Sequence, residues 1–163
     1  HRYDPDGRLH TVLTGVTLSN GLGWDPAGRR MYYIDSPTQR VDVLDFDPAS
    51  GEIGERRPFA VIPEADGTPD GLAVDDAGGV WVALFGGGEV RRFGPDGSPT
   101  GRVEVPADNV TACCFAGRRL IVTTASVDVA PERAARQPHA GGLFALEVPF
   151  SGPPARAFAG PRG

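Results

Sequence analysis

Two oxygen-bearing side chains, Asn20 and Asp70, hold matching places in a pattern that occurs twice. The first copy begins at position 19 and reads Ser-Asn-Gly-Leu-Gly-Trp-Asp; the second begins at position 69 and reads Pro-Asp-Gly-Leu-Ala-Val-Asp. An amide oxygen and a carboxylate suit a hard divalent cation such as calcium, and zinc or manganese is also compatible. Asn-Gly and Pro-Asp-Gly are common turn sequences, so a turn alone explains either copy. The repetition, with Leu and Asp at the same offsets, favours a shared metal site.

The elements that follow each copy indicate how the two side chains could meet. A glycine turn and an apolar run follow the pattern, at 31–35 in one case and at 80–84 in the other. A repeat of about 40 to 50 residues made of short strands is typical of a β-propeller blade. Equivalent positions in successive blades face one central axis. The pattern therefore predicts that Asn20 and Asp70 are neighbours in space.

Turn signals and apolar runs extend this organisation along the chain. No window shows a sustained helical period, so little or no helix is expected. Grouped in fours, the strands make about three blades, which open at Asn20, at Asp70 and at about Thr111, where the pattern is degenerate. Residues 126–140 form a long connection, and the tail after Pro149 is expected to be irregular. Strands are predicted near 11–14, 18–24, 30–35, 40–47, 58–62, 70–75, 80–84, 89–93, 101–105, 111–115, 119–125 and 142–147.

Composition excludes some classes of function. A net charge of −5, with basic residues scattered singly or in pairs, argues against nucleic-acid binding. No apolar run is long enough to span a membrane. Cys113 and Cys114 are adjacent, and neighbouring cysteines rarely form a disulfide with each other. They are expected to be reduced, buried thiols on a strand, which predicts a cytoplasmic location.

Other polar positions have simpler interpretations. Asp25 and Asp75 begin turns in the two copies and are assigned structural roles. Asp35 and Ser36 end a strand on the predicted channel side, where a capped strand end is favoured over a place in the site. The glycine-rich run at 86–88 is followed by no Lys-Ser or Lys-Thr pair, so it predicts a hairpin turn and not a phosphate-binding loop.

Several motifs together carry a resemblance to a known family. They occur in one order: Ser-Asn-Gly-Leu, Tyr-Ile-Asp-Ser at 33–36, Pro-Asp-Gly-Leu, Val-Trp-Val-Ala at 80–83, Cys-Cys-Phe at 113–115, and Arg-Gln-Pro-His-Ala-Gly-Gly at 136–142. The chain resembles the C-terminal half of the SMP-30/gluconolactonase/luciferin-regenerating-enzyme (regucalcin-like) family. The resemblance implies an all-β, six-bladed propeller, of which residues 1–163 would be a partial domain of about three blades without its N-terminal half.

The resemblance also implies a site and a reaction. The family's metal-binding Asn falls on Asn20, and its Asp, a ligand and general base, falls on Asp70. A third ligand, a Glu, and the residues that contact substrate lie in the family's N-terminal half. The implied function is metal-dependent hydrolysis of sugar lactones, in which calcium, zinc or manganese activates the water that attacks the lactone carbonyl and Asp70 is the base.

Two alternatives to a lactonase remain open at this point. One is a related six-bladed phosphotriesterase or arylesterase. The other is a non-catalytic propeller fragment or metal-binding module that keeps Asn20 and Asp70 without the chemistry. The expected partner is a small sugar lactone, with no nucleic acid and no membrane. Three blades do not close a ring, so self-association through exposed edge strands is also expected.

Overall fold

A computed structural model describes residues 1–154 of the chain, and within them the protein is built almost entirely of antiparallel strands. In this described range one α-helix, α1, covers Pro131–Ala134, and two 3-10 turns cover Ser36–Thr38 and Glu64–Asp66. The strands are β1 (Arg2–Tyr3), β2 (Leu9–His10), β3 (Ser19–Trp24), β4 (Arg30–Asp35), β5 (Arg40–Asp45), β6 (Arg57–Val61), β7 (Thr68–Val74), β8 (Val80–Phe85), β9 (Glu89–Phe93), β10 (Pro99–Glu104), β11 (Asn109–Ala116), β12 (Arg119–Ala125) and β13 (Leu143–Glu147).

The strands form three blades, as the repeated pattern predicts. Blade 1 is the meander β3-β4-β5-β6, and blade 2 is the meander β7-β8-β9-β10. Blade 3 contains β11, β12 and β13 in that order, and one bridge between Asn109 and Phe85 joins it to blade 2. A separate hairpin pairs β1 with β2. The predicted all-β propeller architecture is confirmed.

The hydrophobic core lies between successive blades. Tyr32 and Ile34 of blade 1 pack with Leu72, Val74 and Val82 of blade 2. A second cluster joins blade 2 to blade 3, and its buried members include Trp81, Val90, Val110, Leu120 and Val122. Because side chains alternate across a strand, each central blade can bury both of its faces. The blades are therefore held together face to face by apolar packing.

The segment before blade 1 differs from the sequence prediction. The strand expected near 11–14 does not form, since β2 ends at His10 and regular structure resumes at Ser19. Instead, Leu13 and Val16 pack against the buried Tyr33 on one face of blade 1. This packing partly buries the two apolar side chains, so their presence does not require the segment to pair as a β-strand.

Two further expectations need correction or refinement. Cys113 is buried but Cys114 is exposed, so the prediction of two buried thiols is wrong for Cys114. Adjacent residues of a strand point to opposite faces, and only one face of β11 is covered. The connection at 126–140 contains the short helix α1, which begins at Pro131. Of the tail predicted to be irregular, residues 155–163 lie outside the described residues, and 150–154 carry no regular structure.

None of the helices within residues 1–154 has the length and apolar character needed to span a lipid bilayer.

Candidate metal and catalytic site

The innermost strand of each blade is irregular at the position of Asn20, Asp70 or Thr111. In all three strands the pairing register shifts where the candidate side chain lies, which is the signature of a β-bulge. The shifts fall between Ser19 and Leu22 in β3, between Pro69 and Leu72 in β7, and between Val110 and Ala112 in β11. A bulge redirects a side chain and is common beside functional sites. Asn20, Asp70 and Thr111 are the residues redirected.

Glycines bring the three inner strands into close contact. A Cβ atom added to Gly21 would lie 2.8 Å from the carbonyl oxygen of Asp70, and one added to Gly71 would lie 2.8 Å from the carbonyl oxygen of Thr111. The same contact is thus repeated between blades 1 and 2 and between blades 2 and 3. Asn20, Asp70 and Thr111 are therefore equivalent positions, and the glycine after Asn20 touches the backbone of Asp70.

The amide of Asn20 is held by a short relay of hydrogen bonds. Its Nδ2 donates to Ser36 Oγ at 2.7 Å, and Ser36 Oγ donates to the carbonyl oxygen of Pro69 at 2.6 Å. Ser36 is buried and Asn20 is partly buried. Within residues 1–154, the Oδ1 of Asn20 accepts no hydrogen bond. Ser36 thus orients Asn20 with its oxygen available and links it to the residue before Asp70.

The carboxylate of Asp70 is partly buried and, among the described residues, has no hydrogen bond or ion pair. Burial raises the pKa of this carboxyl group above its ordinary value, because desolvation disfavours the charged form. A carboxylate left without a partner in a partly buried place destabilises the fold, and such groups concentrate at functional sites. Asp70 is available to bind a cation or to accept a proton.

Thr111 occupies the third equivalent position but offers no charge. Its hydroxyl shares a hydrogen bond of 2.7 Å with the hydroxyl of Thr123. Blade 3 therefore contributes a neutral, internally bonded group where blades 1 and 2 contribute Asn20 and Asp70.

Asp35, next to Ser36, has a structural role. Its carboxylate accepts the backbone N–H groups of Thr17, at 3.1 Å, and Leu18, at 2.8 Å. Burial on its own would raise the pKa of Asp35, but these hydrogen bonds, together with the charges of Arg56 and Arg40, outweigh burial and lower the pKa. The carboxylate fixes the entry of β3 beside the end of β4. This agrees with the capped strand end favoured from the sequence, whereas Ser36 has the additional function of holding Asn20.

The chemistry of the two oxygen donors fits a hard divalent cation. Among the described residues, Asn20 Oδ1 and the Asp70 carboxylate are both without protein partners, and neutral amide and carboxylate oxygens are the ligands that calcium prefers. Two donors alone make a weak site. Residues 1–154 contain no group of three or more His, Cys, Asp or Glu side chains that could hold a metal ion. A third His, Cys, Asp or Glu ligand would have to come from outside this part of the chain.

Known proteins share this fold and sequence pattern. A profile of the SMP-30/gluconolactonase/LRE-like region matches residues 1–126. The chain is 41% identical over 166 residues to L-arabinolactonase of Azospirillum brasilense, covering 100% of this chain and 55% of that protein. It is 36% identical over 161 residues to regucalcin of Oryctolagus cuniculus, covering 96% of this chain and 54% of that protein.

A solved structure extends the likeness to three dimensions. The calcium-binding protein regucalcin from Agrobacterium tumefaciens superposes with a TM-score of 0.85 at 27% identity, over 90% of this chain and 51% of that one. The chain spans about half the length of the curated relatives it matches. On the matched profile and these relatives, the chain belongs to the SMP-30/gluconolactonase/LRE-like family.

Proposed function

We propose that this chain contributes part of the active site of a metal-dependent sugar-lactone hydrolase. The observation that carries the proposal is the unpaired, partly buried Asp70 carboxylate, whose backbone lies against the glycine that follows Asn20. Membership of a family that contains an L-arabinolactonase supports the reaction class. Asn20 and Asp70 are proposed as metal ligands, and Asp70 is proposed as the catalytic base.

Each residue has a distinct role in the proposed reaction. A divalent cation, when bound to Asn20 Oδ1 and Asp70, supplies Lewis acidity to the lactone carbonyl and to a water molecule. Asp70 accepts a proton from the water while the oxygen of the water forms a bond to the carbonyl carbon of the lactone. The ring C–O bond then breaks, and the proton passes to the departing ring oxygen, giving the open hydroxy acid. Burial raises the pKa of Asp70 in the metal-free chain. A bound cation would lower the basicity of this carboxylate, and the acidity that the cation gives to the water would offset that loss.

The choice of metal and the rest of the site belong to the same proposal. Calcium is favoured over zinc because both donors are oxygens, and over manganese because the regucalcin of Agrobacterium tumefaciens is a calcium-binding protein. We place the remaining ligand and the substrate-contacting residues outside the three blades, in the N-terminal half that the resemblance implies. The thiols of Cys113 and Cys114 are free, which supports the cytoplasm as the proposed location.

A second candidate function is a metal-binding module without catalysis. It is favoured by one observation, the presence of only one carboxylate at the three equivalent inner positions of the described blades. A related esterase or phosphotriesterase would use the same metal and base on a different substrate. These candidates differ in which substrate, if any, is consumed.

The decisive experiment compares substrates and metals. Hydrolysis of L-arabinonolactone and δ-gluconolactone is followed by a pH indicator with calcium, zinc, manganese or EDTA, beside phenyl acetate and a phosphotriester. In a protein that also contains the N-terminal half, we expect lactone turnover that EDTA abolishes and that Asp70→Asn lowers by about 10²- to 10⁴-fold, the usual range for loss of a general base. Asp96→Asn, which changes an exposed turn carboxylate, is the matched control and should keep full activity.

Other results would reassign the function. Calcium binding without turnover of any substrate would favour the metal-binding module. Turnover of phenyl acetate or of the phosphotriester in preference to both lactones would favour the esterase. Undiminished lactone turnover by Asp70→Asn would remove Asp70 from the mechanism.

A further inference from the structure

Ser36 is buried at the junction between blades 1 and 2, and its backbone is held from two sides. Its N–H donates to the carbonyl oxygen of Leu18, and its carbonyl oxygen accepts from Gln39 N, each at 3.1 Å. The N–H of Leu18 is bound in turn by the carboxylate of Asp35, at 2.8 Å. The hydroxyl of Ser36 therefore extends from a fixed backbone position beside the start of β3.

The single proton of the Ser36 hydroxyl is directed toward blade 2. The carbonyl oxygen of Pro69 lies 2.6 Å from Ser36 Oγ, and a carbonyl oxygen can only accept a hydrogen bond. The hydroxyl must therefore be the donor in this contact. Toward Asn20 the hydroxyl presents only lone pairs, which can accept a hydrogen bond but cannot donate one.

This direction of the proton decides which end of the Asn20 amide faces Ser36. The contact between the amide and Ser36 Oγ is 2.7 Å long. The NH2 group can donate to Ser36 Oγ, whereas the amide oxygen in the same place would put two acceptors against each other. The hydrogen-bond network thus allows one orientation of the amide, with Oδ1 turned away from Ser36.

The packing of the blades does not itself require a hydroxyl group at this place. The residues that precede Asn20, Asp70 and Thr111 pair with Asp35, Leu84 and Thr124. The residues that follow these three partners are Ser36, Phe85 and Ala125. Blade 2 therefore packs on blade 3 without a hydroxyl group at the equivalent place. The hydroxyl group occurs in the blade whose inner strand carries an amide.

We propose that Ser36 is a positioning residue of the metal site, which presents Asn20 as an oxygen ligand and keeps its NH2 group away from the cation. Loss of a residue that orients a metal ligand typically lowers metal affinity by about 10- to 100-fold. Ser36 acts through Asn20 and does not itself bind the metal. The metal is that of the proposed function, on which this inference rests.

The orientation of the amide is tested in EDTA, in a protein that also contains the N-terminal half. NMR follows the exchange of the side-chain amide protons with solvent. Asn109 is the internal reference, because its Nδ2 donates to the carbonyl oxygen of Val127. Ser36→Ala should speed exchange at Asn20 by about 3- to 10-fold, the range for loss of one ordinary hydrogen bond, and leave Asn109 unchanged.

Calcium titration calorimetry on the same proteins tests the effect on the metal. Ser36→Ala should raise the calcium dissociation constant by about 10- to 100-fold. Ser36→Cys keeps nearly the size of the side chain but is a poor hydrogen-bonding group, and it should have a similar effect. Thr38→Ala removes a hydroxyl from the same 3-10 turn, where it donates to the carbonyl oxygen of Asp35, and should leave the affinity unchanged.

A double-mutant cycle separates positioning from general support of the fold. If Ser36 acts through the amide, Ser36→Ala should not weaken calcium binding further in a protein that already carries Asn20→Ala. Ser36→Thr retains the hydroxyl group and should restore most of the affinity lost in Ser36→Ala.

Three results would overturn the proposal. One is unchanged exchange of the Asn20 amide in Ser36→Ala. Another is equal loss of calcium affinity from Ser36→Ala with and without Asn20, which would mean that Ser36 supports the site by another route. The third is full calcium affinity in both Ser36→Ala and Ser36→Cys. If the unsubstituted protein binds no divalent cation, the proposed function fails and the role of Ser36 at a metal site fails with it. Faster amide exchange in Ser36→Ala would then still show that Ser36 orients Asn20.

Discussion

Three aspartates illustrate how differently one residue type is used in this chain. Asp35 accepts two backbone N–H groups, and Asp75 accepts hydrogen bonds from Gly79 N, Trp81 Nε1 and Arg92 Nε, each at 2.8 Å. Among the described residues Asp70 has no such donor, and burial raises its pKa. At the scale of the residue, the absence of a partner among the described residues is what distinguishes Asp70 from the two structural aspartates.

The raised pKa of Asp70 predicts that this residue lowers the stability of the fold at neutral pH. The folded chain holds the Asp70 proton to a higher pH than the unfolded chain, where the ordinary value is 3.8. The free energy of unfolding therefore falls as pH rises from that value through the raised pKa. We expect Asp70→Asn to be more stable than the unsubstituted chain at pH 7 and the difference to vanish below about pH 4. Urea denaturation in EDTA, carried out at pH 7 and below pH 4, measures the free energy of unfolding of the two proteins.

The same pair of proteins reports on the metal. With calcium at about 100 times its dissociation constant, binding adds about 2.7 kcal/mol to the free energy of unfolding of the unsubstituted chain. Asp70→Asn should gain much less. Equal stabilisation of the two proteins by calcium would show that Asp70 is not a ligand, and an Asp70→Asn chain less stable than the parent in EDTA would contradict the burial argument.

At the scale of the element, the two turns that follow β3 and β7 have the same sequence pattern but contribute differently to the stability of the fold. Asp25 is only partly buried and accepts the N–H groups of Arg29 and Arg30. Asp75 is fully buried and binds the side chains of both Trp81 and Arg92, while Arg92 lies 3.9 Å over the ring of Phe150. Asp75 thus ties the β7–β8 turn to β9 and to the end of blade 3.

We expect Asp75→Ala to lower the free energy of unfolding by about 3–5 kcal/mol, because it leaves the buried Arg92 guanidinium unpaired. The matched change in blade 1, Asp25→Ala, should cost about 0.5–1.5 kcal/mol, the worth of ordinary hydrogen bonds. Chemical denaturation of both variants provides the comparison. Similar losses of unfolding free energy in the two variants would mean that the burial of Asp75 does not increase its contribution to stability.

Acid should weaken the β7–β8 turn by protonating Asp75. Burial alone would raise the pKa of Asp75, but the hydrogen bonds from Arg92, Trp81 and Gly79, together with the charge of Arg92, outweigh burial and lower the pKa. A carboxyl group with a lowered pKa stabilises the fold above its ordinary value, and that stability is lost as pH falls below about 4. The loss below this pH should be smaller in Asp75→Asn than in the unsubstituted chain.

At the scale of the whole molecule, close approach of the inner strands sets the distance between blades. Gly71 is required by space: a Cβ there would lie 2.6 Å from Ala112 Cβ and 2.7 Å from Ala112 Cα. We expect Gly71→Ala to lower the free energy of unfolding by about 1–3 kcal/mol through overpacking. Gly101→Ala, in β10 with open space around it, should change stability by less than about 0.5 kcal/mol. Thermal and urea unfolding would reveal the difference, and a neutral Gly71→Ala would contradict tight blade contact.

Local chemistry explains why most of the fold was predictable. Turn residues and apolar runs are properties of short segments, so the strand positions and the three blades followed from the repeat. The strand expected at 11–14 was wrong because Leu13 and Val16 are apolar for packing on blade 1, which a local pattern does not distinguish from a strand. Cys114 was misplaced for a related reason, since the cover on each face of β11 depends on which blades are neighbours.

The sequence by itself determined that Asn20 and Asp70 hold equivalent places, because the repeat is written in residue types and spacing. Only the tertiary structure decided what surrounds them. Ser36 accepts a hydrogen bond from the Asn20 amide, Thr123 forms a hydrogen bond with the Thr111 hydroxyl, and no donor from the described residues reaches Asp70. Burial and hydrogen-bond partners arise between residues that are distant in the chain. They are fixed when blades pack against each other, and no short segment encodes them.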